Sequence, residues 1–456
     1  MRINDTFRYL NIGLPQDILR HKMNGNLEEA IRLIDLRLAD EKTPEPVKNC
    51  MIAQREMISR LPAEFPFNRE QAMQELVSRI PDFTEAELED LLDHNRINWA
   101  YLNGEMHFFE RFVDTLIKTE ADLARRAGVP EKTADKRTRL DRCMAIMKEK
   151  GSMALRIRVR ATLRVNDEAF TPGMFIRAHL PIPIPCDQQS DIVIEKVEPA
   201  NGQIAPEDAL QRTVCWEEKM EDNHEFAVEY SYTHRSVWHD VSKASSAKEQ
   251  PSFSTQEEEP HIVFTPYIRA LVKELTEGVD DPLEKARRFY DFITKRMNYT
   301  FMPEYFVLEG IAENCARNGI GDCGVFALLF ITLCRCAGIP AEWQSGLCAE
   351  PEEAGLHDWA RFYIEPYGWL WADPSFGVSA NHAGKEERRQ FYFTSQDPYR
   401  MVANRAFQAE FTIPKDHWRG DPYDNQSGEM ETADRGLRYD EFVRTQETLM
   451  CEEMAD

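Results

Sequence analysis

The sequence predicts a multidomain α+β protein: a helical N-terminal region, a β-sandwich, and an α+β domain built around one buried helix. Three observations carry that reading. Apolar residues keep helical spacing through most of the first 150 positions. The period then changes to strict alternation, with Leu155, Ile157, Val159, Ala161, Leu163 and Val165 set against Arg156, Arg158, Arg160, Thr162 and Arg164, the pattern of a half-buried strand. Finally, residues 325–333 carry no charge and lead to Gly338-Ile339-Pro340, which marks a helix stop after a segment apolar on nearly all sides.

A chain of 456 residues is long enough for two to four domains, each with its own core. Hydrophobic residues at 42% place it among ordinary globular proteins. The formal charge of −24 argues against nucleic acid or an anionic membrane as partner, since either surface would repel it. No stretch reaches the roughly 18 apolar residues of a membrane span, and Met1-Arg2-Ile3-Asn4-Asp5 does not open a signal peptide. The ten cysteines lack paired spacing, so reduced thiols in a cytoplasm are expected; a secreted form trimmed of its leader would read the same way. Cys334 and Cys336 have no His or Cys pair at zinc spacing beside them, so neither a metal nor another cofactor is expected.

Residues 1–150 form a mainly helical accessory region. Asn26 with Glu29 makes an N-cap pair ahead of Leu27, Ala30, Ile31, Ile34 and Leu38; residues 50–61 and 70–80 repeat the helical pattern. Thr84 and Glu87 open a further helix, and Asn103-Gly104 sits between two short strand candidates as a hairpin turn. Helix followed by hairpin could suit a winged-helix DNA reader, but the stretch has no basic stripe. Residues 151–240 form the sandwich, where the arginine face of residues 155–165 is expected to be a solvated sheet face. Residues 241–260, rich in Ser, Lys, Gln and Glu, form a linker. Residues 261–404 form the α+β domain, with helices opened by Pro266 and Pro282, a loop over residues 305–316 and a strand at residues 391–393. Residues 405–456 extend the chain over the core, with a strand at 407–413 and a helix at 440–449.

Cys323 begins the buried helix, where unpaired backbone N–H groups and the helix dipole favour a thiolate. On that reading it alkylates near pH 6, ahead of the other cysteines. Downstream, residues 359–364 and 369–371 are aromatic-rich and β-prone, and Pro366-Tyr367-Gly368 marks a turn between them. Antiparallel pairing then sets His357, at the start of one strand, beside Asp373, at the end of its partner. Cys323, His357 and Asp373 form a nucleophile, a base and a carboxylate that orients the base. If Asp373 holds that role, Asp373→Asn cripples turnover and leaves the melting temperature unchanged. The backbone N–H of Cys323 is one oxyanion donor, and Tyr299 is a candidate for the second.

The order Gly321-Asp322-Cys323, Gly338-Ile339-Pro340-Ala341, His357-Asp358-Trp359-Ala360-Arg361-Phe362-Tyr363 and Trp371-Ala372-Asp373-Pro374-Ser375 resembles the transglutaminase-like superfamily over roughly residues 262–380. Residues 397–404 and Asp424-Asn425-Gln426 are more loosely similar to the tail of bacterial members. The resemblance implies a papain-like α+β catalytic domain with Cys323 as nucleophile, His357 as base and Asp373 as the orienting carboxylate. It implies a thiol hydrolase that acts on peptide or amide bonds of a protein or peptide substrate through an acyl-enzyme. A protein-glutamine transamidase shares that intermediate and differs only in passing the acyl group to an amine. A binding scaffold that kept the fold would place no demand on all three side chains.

Overall fold

The N-terminal region folds around its own apolar cluster, which includes Ile18, Ile34, Ile58, Leu76, Leu88, Phe108 and Leu116. The computed structural model describes residues 3–129, 134–241, 245–351 and 353–454. Helices span Gln16–Met23, Leu27–Ala39, Glu45–Glu64, Arg69–Arg79 and Glu85–Asp93. Thr84 and Glu87 form a reciprocal capping box, as do Asn68 and Gln71. The Asn26 side chain makes no capping bond, so the expected pair with Glu29 does not form. The hairpin joins Trp99–Leu102 to Glu105–Phe108 through Asn103 and Gly104, both at positive φ. Helices α1 (Phe112–Thr119) and α2 (Ala134–Lys150), with the short helix Ala121–Arg126 between them, lead into the β-rich part.

That part holds two four-stranded antiparallel sheets. One contains β1 (Ser152–Val165), β3 (Gln189–Glu198) and β5 (Phe226–Val237); the other contains β2 (Met174–Pro181) and β4 (Thr213–Met220). Leu155, Ile157, Val159, Ala161 and Leu163 of β1 are buried. The alternating arginines point away from that core and meet acidic neighbours: Arg158 with Glu229 at 3.0 Å, Arg160 with Glu225 at 2.6 Å, Arg164 with Asp167 at 2.5 Å. Exposed pairs of this kind contribute little each.

The remaining core is one helix packed on one sheet. Helices α3 (Pro266–Leu275) and α4 (Pro282–Arg296) precede the two-residue strands β6 (Asn298–Tyr299) and β7 (Ile320–Gly321), which pair in parallel. Helix α5 (Cys323–Cys336) is buried on nearly every side, as its uncharged sequence requires. It lies against the five-stranded sheet β11-β10-β9-β8-β12, made of Phe393–Thr394, Gly368–Ala372, Ala354–Ile364, Ala341–Ala349 and Arg400–Asn404. The expected hairpin is β9–β10, paired from Ala360↔Ala372 to Ile364↔Gly368. Helix α6 (Pro374–His382) follows at once. A single apolar cluster runs from the sandwich into this sheet and joins Trp216, Tyr232, Phe330 and Phe362.

Several local expectations are corrected. Residues 311–318 are helical rather than loop, because Ile311, Ala312, Cys315 and Ala316 bury one face between Gly310 and Gly319, both at positive φ. Residues 386–391 form a helix where an aromatic strand was expected to begin, leaving only Phe393–Thr394 extended. Residues 407–413 form no strand. Residues 442–453 form a strand, β14 (Phe442–Glu453), instead of a helix, and β13 (Glu429–Glu431) precedes it. Strand β14 pairs with β1 from Phe442↔Val165 to Glu453↔Leu155, so the ladder overrides the helix-forming composition. The tail thereby completes both sandwich sheets, β13 bonding to β2. Of residues 241–260, read as linker, 242–244 lie outside the described residues and 245–260 lie along the five-stranded sheet, with Ala247 N bonded to Glu365 O at 2.8 Å and Ala341 N to Ser254 O at 3.1 Å.

Candidate active site

Asp322 is the N-cap of α5: its Oδ1 accepts the N–H of Val325 at 3.2 Å. Cys323 is therefore the first helical residue. The N–H of Gly324 donates to Tyr305 Oη at 3.0 Å, and the Tyr305 hydroxyl donates to Asp322 Oδ1 at 2.6 Å. Tyr305 lies so close over the backbone that a Cβ on Gly324 would sit 2.3 Å from its oxygen. Neither bond uses the N–H of Cys323, which as a first-turn donor has no partner within the helix.

His357 lies on β9 and Asp373 caps α6, accepting the N–H of Phe376 at 2.9 Å through Oδ1. The other carboxylate oxygen of Asp373 lies 2.7 Å from His357 Nε2. Both residues are buried, and the imidazole stacks on Phe376 with centroids 4.4 Å apart. Burial works to raise the Asp373 pKa, but His357 and the Arg400 guanidinium outweigh it and hold the group below its ordinary value. An ionised Asp373 only accepts, so Nε2 carries the imidazole hydrogen and Nδ1 keeps its lone pair. Burial lowers the His357 pKa, with Asp373 acting against it, so the ring rests neutral at neutral pH. A neutral imidazole with a free Nδ1 is a base.

Cys323 and His357 line one cleft of about 490 Å³. Lys118 of α1 and Arg139 of α2 also line it, which brings the helical region to its wall. Lys118 Nζ lies 4.1 Å from the Tyr299 ring centroid, and Tyr299 is another wall residue. Burial first, then the neighbouring Cys323, pushes the Tyr299 pKa up, so its hydroxyl keeps its proton and stays a donor. The structure thus brings Cys323, His357, Asp373 and Tyr299 together at one place.

The thiol departs from the sequence expectation. Cys323 Sγ donates to Asp358 Oδ2 at 3.2 Å. Burial is the largest influence on Cys323, followed by Asp358 and Asp322, and together they push its pKa well up. The helix N-terminus is present, but two carboxylates stand beside the sulfur, so alkylation near pH 6 is no longer expected.

The tail motifs converge beneath this site. Arg400, fully buried, puts Nη1 2.9 Å from Asp373 Oδ2 and Nη2 2.7 Å from Asp397 Oδ2. Asn404 Nδ2 donates to Ser345 Oγ and to Asp424 Oδ1, each at 2.9 Å. Gln426 Nε2 donates to Asp358 Oδ1. Sequence reading named these tail segments without giving them roles. Asp358, quoted only within the His357 motif, and Tyr305 were given no role, since strand alternation sets Asp358 on the face opposite His357 and Tyr305 falls in a stretch read as loop. Among the described residues no group of three His, Cys, Asp or Glu is arranged to hold a metal ion, and no helix is long and apolar enough to cross a membrane.

Comparison with known proteins places the site in a family frame. The model of the transglutaminase-like superfamily core matches residues 269–374, the segment that carries Cys323, His357 and Asp373. The uncharacterised protein YebA of Bacillus subtilis is 25% identical over 131 residues, which is 25% of this chain and 18% of that relative's length. Two solved structures show low overall similarity to this chain. One, from Cytophaga hutchinsonii and provisionally named a cysteine protease, has 14% identity and a TM-score of 0.39, covering 66% of this chain and 91% of its own. The periplasmic domain of TgpA from Pseudomonas aeruginosa has 13% identity and a TM-score of 0.28, covering 54% of this chain and 95% of its own.

Proposed function

We propose that this chain, whose residues 269–374 carry a transglutaminase-like domain, is a thiol hydrolase of peptide or amide bonds with Cys323 as nucleophile. The observation that carries the reading is the 2.7 Å bond from His357 Nε2 to an ionised Asp373, with Cys323 on the same cleft. His357 Nδ1 takes the thiol proton as sulfur adds to the carbonyl carbon, forming an S–C bond and a tetrahedral oxyanion. The Cys323 N–H and the Tyr299 hydroxyl stabilise that oxyanion. His357 then returns its proton to the departing amine as the C–N bond breaks, leaving a thioester. Water, activated by the same imidazole, attacks the thioester and releases the acid and the thiol.

Asp373 keeps the ring in the working tautomer and offsets the imidazolium charge formed on the way. A cleft of about 490 Å³ is large enough for a side-chain amide or a short peptide segment. A protein or peptide substrate suits it, and nucleic acid does not suit a chain of charge −24.

Hydrolysis and amine transfer diverge only when the thioester is resolved. Incubating the protein with a denatured, glutamine-rich protein substrate and a labelled primary amine measures both routes at once. Release of peptide fragments or of ammonia should exceed amine incorporation, and both should vanish in Cys323→Ala. Cys323-dependent amine incorporation as the dominant product would make the protein a transamidase instead.

A further inference from the structure

Two acceptors compete for the Cys323 hydrogen. His357 lines the same cleft as Cys323. Asp358, only 3% exposed, reaches it from inside the protein at 3.2 Å. This carboxylate is held firmly: Gln426 donates to Oδ1, and the Tyr305 hydroxyl lies 3.4 Å from Oδ2 while donating to Asp322. Gln426 is itself anchored, since its backbone oxygen accepts from Gln446 Nε2 of β14 at 2.6 Å. The polar chain from the C-terminal strand to the nucleophile therefore runs Gln446, Gln426, Asp358, Cys323.

We infer that Asp358 is a positioning residue that holds the nucleophile as a neutral thiol, so that Cys323 becomes reactive only when its proton passes to His357. The inference rests on Cys323 being the nucleophile proposed above. The step balances simply: the S–H bond breaks, an Nδ1–H bond forms, and the sulfur lone pair goes to the substrate carbonyl. Asp358 takes no proton; it loses the hydrogen bond it accepted and then faces the forming thiolate as a like charge. That repulsion ends as the sulfur charge is spent in the new S–C bond. A carbonyl seated in the cleft, where His357 takes the proton as the S–C bond forms, thus obtains a nucleophile that a simple alkylating agent does not.

Every charged neighbour on the elements packed here bears on the balance. Asp322 at the α5 N-cap reinforces Asp358 in disfavouring a thiolate, while Lys118 of α1 opposes them. Tyr299 and Tyr305 are neutral, and Asp424 and Asp421 of the tail act on Asp358 itself. Because Asp358 is also pushed well up, by burial and then Asp424 and Asp322, the one shared proton has two possible homes. Placed on the sulfur, it leaves a thiol; placed on the carboxyl, it leaves a thiolate at neutral pH. Gln426 already donates to Asp358 Oδ1, which favours the carboxylate and leaves the proton of the 3.2 Å contact on sulfur.

The test is the pH dependence of Cys323 alkylation by iodoacetamide, followed by peptide mass spectrometry on folded protein. Wild type should show a midpoint above the roughly 8.5 of free cysteine. Asp358→Asn removes the charge and offers the sulfur an amide donor, so alkylation at pH 7 should rise by roughly tenfold or more, a one-unit fall in midpoint. Asp358→Ser should move it the same way, which a purely structural role for Asp358 would not. An unchanged midpoint in folded Asp358→Asn or Asp358→Ser protein would overturn the inference. If neither variant folds, thiolate absorbance of wild type minus Cys323→Ser decides: a midpoint below that of free cysteine puts the shared proton on Asp358 and overturns it. Failure of the functional reading would look different, as activity surviving in Cys323→Ala whatever the alkylation midpoint.

Discussion

Cys323→Ala is expected to abolish turnover, by roughly four to six orders of magnitude, with little change in melting temperature. The thiol is a small side chain at the first position of α5, and the cap of that helix comes from Asp322, which the substitution leaves alone. The backbone N–H of residue 323 also survives, so oxyanion stabilisation is retained. What goes is the atom that forms the acyl-enzyme, and removal of a nucleophile from a triad costs about this much in comparable enzymes. Steady-state turnover on a peptide or amide substrate, measured beside a thermal melt, checks it. Near-normal turnover in a folded variant would place the chemistry elsewhere.

Asp373→Asn carries the second large effect. Asn keeps the shape and can still cap α6, but it presents a neutral amide to His357 Nε2, favouring the wrong tautomer and leaving the imidazolium uncompensated. A loss of roughly two to four orders of magnitude in turnover is expected. The sequence reading paired this with an unchanged melting temperature, and that part is corrected. Asp373 is buried against the fully buried Arg400 as well as His357. Removing one member of a buried pair costs about 3–5 kcal/mol when its partner is left alone. Arg400 keeps Asp397 at 2.7 Å, so the expected destabilisation lies below that range yet is measurable. Its pH dependence has a definite sign. The folded-state pKa of Asp373 is depressed, so its contribution is present above the unfolded value of about 3.9 and is lost as pH falls through the folded value. The stability gap between wild type and Asp373→Asn should be full at pH 7 and close at strongly acid pH. A gap that stays constant with pH would mean that the charge of Asp373 is not what stabilises the fold.

What was legible in the sequence was whatever local pattern decides. The uncharged run after Cys323 is ambiguous in period, but its length and the Gly338 stop favour a buried helix, and the turn at Pro366-Tyr367-Gly368 sets the β9–β10 register that carries His357 towards Asp373. The candidate triad is therefore readable from three short segments. The groups that tune it are not. Arg400 meets Asp373 through the order of a five-stranded sheet, and Gln426 reaches Asp358 from the irregular stretch between β12 and β13. Such contacts are decided by tertiary packing, which neither spacing nor propensity encodes. The same holds for β14, whose charged residues suit a helix until β1 offers them a ladder. The acidity of Cys323 shows the limit most clearly. A helix N-terminus is visible in the sequence and points one way, while a buried carboxylate 3.2 Å from the sulfur points the other.

The central claim is that an acyl group passes through Cys323. Reaction with a small activated ester such as p-nitrophenyl acetate, quenched in acid and read by intact mass and peptide mapping, tests it directly. The expected result is one added acyl group per chain, on Cys323, absent from Cys323→Ala and formed far more slowly in His357→Ala. Stoichiometric acylation of another residue, or a Cys323→Ala protein that still forms the adduct at the wild-type rate, would contradict the account.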